Sequence, residues 1–180
     1  MTEVAALAAW LGAAVIVLSD GRRGLALGLA LITAAFTVLA YLGGEHLAAV
    51  ALLFGGAVAV IQRLRTGPDV WRVMPPGSTP RLVLAIGGGL LALWIATSVM
   101  TGTDAPLRFA ALAVLGLMGA RVLMAEIEPA AALTSLAALA LSVAIASGMA
   151  DTGLGPSPYI AAAVIALGIS LIRAPDINGA

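Results

Sequence analysis

The sequence predicts an all-α, polytopic transmembrane bundle of about seven helices, and three observations carry that expectation. Of the 180 residues, 62% are hydrophobic and 10% charged, against roughly 25% charged in an ordinary soluble domain. Mean hydropathy is +1.11. The apolar residues are gathered into runs separated by clusters of Gly, Pro, Asp and Arg, the punctuation that ends helices. A soluble core could not hide so much apolar side chain, since a domain of about 150 residues leaves roughly 30% of its unfolded-chain surface exposed. Lipid takes the remainder.

Crossing a bilayer takes about 17–25 mostly apolar residues, and no backbone group without a partner can face lipid. Seven runs qualify or come close. The first, Glu3–Leu18, stands where a secretory signal would stand, but it has no positive n-region and opens on Glu3, so it reads as a retained helix. Leu25–Leu42 follows the Arg22-Arg23 pair, and Leu47–Leu64 follows Gly43-Gly44-Glu45-His46. Arg81–Met100 starts beyond Pro80. Pro106–Ala125, Pro129–Met149 and Ser157–Ile172 complete the set.

Charge gives these helices a direction. Seven spans put the termini on opposite faces. The face reached after odd-numbered spans receives Arg22, Arg23, Arg63, Arg65, Arg72, Arg81, Arg121 and Arg173, eight of the nine basic residues. The other face receives Arg108 with Glu3, Glu45, Asp104 and Asp151. By the positive-inside rule the Arg-rich face is cytoplasmic, which sets the N-terminus outside and the C-terminus inside a bacterial cytoplasmic membrane. Six or eight spans would scramble the segregation.

The chain also divides. Residues 66–80, TGPDVWRVMPPGSTP, form a Pro-rich cytoplasmic linker unlike the short connections elsewhere. Trp71, Val73 and Met74 suit an interfacial spacer on the headgroup layer; the alternative is a docking strip for a partner, with Trp71 and Arg72 as the contact. On either side lie a first three-helix unit, residues 1–65, and a second, residues 105–180, joined by a linking helix over 81–101. AALAAWLGAAVIVLSDGRRG from Ala5 runs in register with AALAVLGLMGARVLMAEIEP from Ala110, and AVAVIQRLRTGPD runs against ALGISLIRAPD. This is the pattern of a three-plus-one-plus-three parallel repeat, although Ala and Leu supply much of the likeness.

Several function classes drop out. There is no Cys, hence no thiolate metal site, iron–sulfur cluster or Cys nucleophile, and a single His cannot hold a haem between two histidines. No cofactor is expected. No basic tract with interleaved aromatics marks a nucleic-acid surface. Acids inside a membrane default to functional roles, but Glu45, Asp104, Glu126, Glu128 and Asp151 all sit at or near span ends. At mid-depth only hydroxyls occur: Thr33, Thr37, Thr97, Ser98, Thr134, Ser135, Ser142 and Ser170. Such groups more often bond to their own or a neighbouring helix.

Glu45 with His46 is the one adjacent acid and imidazole pair. It reads either as helix-start chemistry, a carboxylate at the positive end of a helix dipole, or as a proton-entry site. Arg121 has Glu126 and Glu128 within the following turn and reads as a snorkelling cation. Gly55-Gly56 after Phe54 suits close packing, or a π-bulge or hinge. Trp10, Tyr41, Trp94 and Tyr159 fit interfacial anchoring.

The run YLGGEHLAAVALLFGGAVAVI resembles the J-type small membrane subunit of respiratory complex I, through Gly44, Glu45, His46, Leu47, Ala48 and Ala49, then Phe54, Gly55, Gly56, Ala57 and Val58. That family's aromatic-Gly stretch forms a π-bulge implicated in coupling, so the resemblance implies a coupling role for Phe54, Gly55 and Gly56. The overall layout is similar to the seven-helix relative of the K-type subunit in formate-hydrogenlyase-type complexes. The K-type subunit carries carboxylates inside two helices; the corresponding spans here have none. The resemblance therefore implies an accessory or coupling subunit of a proton- or cation-translocating complex of the complex I, membrane-bound hydrogenase or multisubunit antiporter class. It would be packed against antiporter-like chains and lipid and would not itself be the catalyst. The rival expectation is a stand-alone small-solute transporter built from the two three-helix units, with Thr33, Thr37, Thr134 and Ser135 along the path. A scaffold or assembly protein is a third.

Overall fold

A computed structural model of the chain describes residues 1–66, 77–99, 104–124, 129–149 and 155–172. They form seven α-helices: α1 (Thr2–Leu18), α2 (Arg22–Leu42), α3 (His46–Arg65), α4 (Thr79–Trp94), α5 (Ala105–Leu123), α6 (Pro129–Met149) and α7 (Ser157–Leu171). A π-helical turn, Ile95–Val99, continues α4. Each helix begins and ends within about a turn of the apolar run that predicts it. Trp71 and Arg72 lie outside the described residues.

The local reasons are elementary. Ala and Leu, which lose little entropy in a helix, dominate every span. Proline stands in the first turn of α4, α5 and α7, where its missing N–H would have no helical partner anyway. Helices α2, α3, α5, α6 and α4 with its π turn are long and apolar enough to cross a membrane, while α1 and α7 are shorter apolar helices. The chain is a multi-pass helical membrane protein.

Six helices close a ring in which α1 lies beside α2, α2 beside α3, α3 beside α7, α7 beside α6, α6 beside α5, and α5 beside α1. Helices α2 and α6 meet across the middle, and α4 leans on α1 and α5 from outside. Without a hydrophobic drive between helices in lipid, close van der Waals approach through small residues does the packing. At the α1–α2 crossing, a Cβ on Gly12 would stand 2.6 Å from the Gly28 carbonyl oxygen, and one on Gly28 equally close to that of Gly12. At α3–α7, a Cβ on Gly55 would stand 2.7 Å from the Ala163 Cα, and Gly56 abuts the Thr33 side chain. Large side chains such as Leu53, Phe54, Leu90, Leu91 and Val164 point outward.

Helix α4 is attached differently. It buries only Ala85, Gly89 and Ala92, yet polar groups hold it at three depths. Arg81 Nη1 donates to Asp20 Oδ1 at 2.6 Å, Trp10 Nε1 donates to the Ala85 carbonyl at 3.1 Å, and Arg108 Nε and Nη2 donate to the Ala96 carbonyl at 3.3 and 3.2 Å. A π turn takes carbonyls out of the regular i→i+4 ladder, and Arg108 serves one of them. Two expectations change here. Trp10 is not an interfacial anchor, because its indole is committed to α4 halfway along α1. The π turn lies at Ile95–Val99, whereas α3 runs as α-helix through Phe54, Gly55 and Gly56; those glycines serve tight contact with α7 and α2.

Candidate functional site

A cavity of about 690 Å³ opens on the face where α2 and α6 end and α5 and α7 begin. Its longest wall is one stripe of α5: Asp104, Leu107, Arg108, Ala111, Leu112 and Leu115. Those positions recur at three- and four-residue steps, so they share one helix face. Leu39, Ala40 and Gly43 of α2 and Ile145, Gly148 and Met149 of α6 form the other sides. From Asp104 to Leu115 is about 16 Å at roughly 1.5 Å per residue, or about half of a bilayer's hydrocarbon thickness. The vestibule is therefore charged at its rim and apolar at depth.

Four polar side chains belong to it: Glu45, Asp104, Arg108 and Tyr159. Glu45 stands at the N-cap position of α3 and Asp104 at that of α5, neither with a side-chain capping hydrogen bond; both are exposed, and neither has an ion-pair partner among the described residues. Arg108 is buried, with Nε and Nη2 turned toward Ala96. Tyr159 is only 6% exposed, and its hydroxyl rests over Gly148, where a Cβ would collide with it. The tyrosine expected at the interface is thus a wall of the cavity.

Of the residues singled out for coupling or proton entry, Glu45 alone lines the vestibule. His46 packs its ring on Tyr41, centroids 4.9 Å apart and planes tilted by 50°. Phe54, 64% exposed, points away from the bundle, and Gly55 and Gly56 are helix contacts. Of the hydroxyls expected along a solute path, none lines the cavity. Thr134 donates to the Ala130 carbonyl, whereas Thr33 Oγ1, Thr37 Oγ1 and Ser135 Oγ are buried without a hydrogen-bond partner among the described residues.

The opposite face carries a second polar cluster. Asp20, between α1 and α2, accepts from Arg81 Nη1 at 2.6 Å and from Arg121 Nη2 at 2.7 Å through the same Oδ1, and Arg121 also reaches the Ser19 carbonyl at 3.4 Å. Arg121 is 1% exposed. Glu126 and Glu128, its expected partners, lie outside the described residues, and the snorkelling expectation gives way to a buried cation paired across the bundle. Such pairing offsets part of the large cost of holding a guanidinium away from water.

Among the described residues, no three His, Asp or Glu side chains gather as metal ligands. Sequence reading missed the roles of Asp20, Arg108 and Tyr159. The first two pair with groups 101 and 12 residues away, and no spacing rule connects Asp20 to its partner. The one signal in the sequence was that Arg108 is the lone cation on its face. No family model, curated protein or solved structure matches the chain.

Proposed function

We propose that the chain is an accessory or coupling subunit of a multisubunit proton- or cation-translocating complex in a bacterial cytoplasmic membrane, without a redox centre of its own. The observation that carries this reading is the vestibule: it opens on one face past Glu45 and Asp104, and its deepest lining, Leu112 and Leu115, is apolar. The only carboxylate inside any described helix is Glu3, in the first turn of α1. A titratable path across the membrane would need a second chain. The resemblance through Glu45, His46, Phe54, Gly55 and Gly56 enters this reading at the level of residue pattern alone, because α3 is α-helical there and the π turn lies at Ile95–Val99. The exposed apolar side chains of α3, Leu47, Val50, Leu53 and Phe54, offer one docking side for antiporter-like chains.

The same reading takes the bundle as a three-plus-one-plus-three repeat with its N-terminus outside and its C-terminus cytoplasmic. Two facts support it. Exchanging α1 with α5, α2 with α6 and α3 with α7 leaves the ring of neighbours unchanged. Arg81 and Arg121, both assigned to the cytoplasmic face, meet at one carboxylate, as a shared Arg-rich face requires. Affinity purification of the full chain from native membranes in mild detergent tests the proposal. Stoichiometric recovery of large hydrophobic chains is expected, and a stable, solitary monomer in native mass spectrometry refutes it.

A second reading, a small-solute carrier, is favoured by the cavity's volume, which falls within the roughly 300–1,000 Å³ of ligand sites; a path through the buried hydroxyls of Thr33, Thr37 and Ser135, which have no partner among the described residues, would have to continue beyond that cavity, since none of them lines it. Solute uptake by the purified chain in proteoliposomes, abolished by T33V/S135A, would establish it over the first.

A further inference from the structure

We propose that Arg63 holds the phosphate of an anionic phospholipid in the leaflet that meets the Arg-rich face. Arg63 is 8% exposed and, among the described residues, has no hydrogen-bond or ion-pair partner. Arg81, Arg108 and Arg121 each reach a carboxylate or a carbonyl. A guanidinium held away from water is costly without a counter-charge, and ionisable groups in membrane helices ordinarily find one. The surroundings offer little competition for an incoming anion. Asp20 is the sole carboxylate among the described residues on this face, and Arg81 and Arg121 already hold it, while Arg22, Arg23 and Arg65 add to the positive charge.

Arg63 ends the buried stripe of α3 that runs through Leu52, Gly55, Gly56 and Ala59, so it shares the face that meets α2 and α7. The Gly56–Thr33 and Gly55–Ala163 contacts fix the register. Counting from them along antiparallel α2 and parallel α7 sets Arg63 level with about Ala26 and Leu171, near where α2 begins and α7 ends. The N-cap of α2, Gly21, has no side-chain cap, and its free amide end adds positive potential at that level. Depth and surface select the occupant. Arg63 lies two residues before the last of α3, Arg65, about 3 Å from the helix end at roughly 1.5 Å per residue, which is headgroup depth. Exposed Ile61, Leu64 and Leu171 stand within about a turn of it. A ligand there meets apolar surface as well as positive charge, a combination that a phospholipid matches and inorganic phosphate does not.

The test titrates the full chain, delipidated in neutral detergent, with dioleoylphosphatidylglycerol, dioleoylphosphatidylcholine and inorganic phosphate, and counts bound lipid by native mass spectrometry. Saturable binding of phosphatidylglycerol is expected, about tenfold tighter than phosphatidylcholine, and R63Q should bring the two within about twofold of each other. R65Q, which removes an exposed neighbouring charge, should weaken phosphatidylglycerol by less than about threefold. Thermal unfolding gives a second readout. Without lipid, R63M should be at least as stable as the unmodified chain, because it removes an unpaired buried charge, and phosphatidylglycerol should raise the Tm of the unmodified chain but not that of R63M. Equal binding of the two lipids by the unmodified chain overturns the proposal, and this comparison needs no variant to fold. Phosphate that displaces phosphatidylglycerol at equal concentration overturns it in favour of a soluble anion. A lower Tm for lipid-free R63M overturns it in favour of a counter-charge within the chain. The proposal requires only a membrane-spanning bundle, so it stands or falls separately from the subunit reading.

Discussion

Replacing Asp20 by Asn removes the negative charge on which, among the described residues, Arg81 and Arg121 converge. The size of the effect follows from burial. Arg121 is 1% exposed and its Nη2 lies 2.7 Å from Asp20 Oδ1, and deleting one partner of a buried pair costs about 3–5 kcal/mol because the surviving charge stays buried. The Ser19 carbonyl still accepts from Arg121, which places D20N near the lower end, about 3 kcal/mol. Arg81, with its side chain 27% exposed, should matter less, and R81Q is expected to cost about 1 kcal/mol. In D20N/R121M both charges disappear, and an apolar side chain of similar length fills the space, so the double variant should recover most of the loss. Reversible unfolding in mixed detergent micelles, followed by circular dichroism, measures all three. A D20N cost below about 1 kcal/mol, or a double variant no more stable than D20N, refutes the idea that a buried pair organises this face.

Four further outcomes are expected. G28L drives a side chain into the Gly12 carbonyl and Ile16, so α1 and α2 must separate; about 1–3 kcal/mol should be lost, read in the same unfolding assay. W10F keeps an aromatic ring and deletes the donor to the Ala85 carbonyl, costing about 1 kcal/mol and speeding hydrogen exchange around Ala85 and Gly89 more than elsewhere. G148A should displace the Tyr159 ring from its seat, which a shift in Tyr159 ring resonances would register. Because the chain has no Cys, single cysteines report sidedness directly: an impermeant maleimide applied to whole cells should label D104C and spare S78C, and the reverse pattern refutes the proposed orientation.

What could be read from the sequence and what could not divide along one physical line. Apolar runs and their Gly, Pro and Arg boundaries are local, so the spans from Thr2–Leu18 to Ser157–Leu171 were legible to within about a turn. Facing is not local in a helix that is apolar all round. Nothing in AALAAWLG says that Trp10 looks at a backbone carbonyl 75 residues away, or in LSDGRRG that Asp20 meets Arg121. The vestibule was half legible: Glu45 was singled out for its own chemistry, whereas Asp104, Arg108 and Tyr159 became a site only when α5, α6 and α7 brought them to one opening. The glycine pair at Gly55-Gly56 marked a special place, but its use is close approach to Ala163 and Thr33, and the helical irregularity falls where no glycine announces it, at Ile95–Val99.

The three ties on α4 also impose an order of events. Trp10 and Asp20 are synthesised before α4, and Arg108 after it, so the emerging helix finds its first two attachments ready and its third still to come. Until α5 arrives, the Ala96 carbonyl in the π turn has no guanidinium to satisfy it. The far end of α4 is therefore the last part of that helix to be secured, and the arrival of Arg108 links completion of the fifth span to the locking of the fourth.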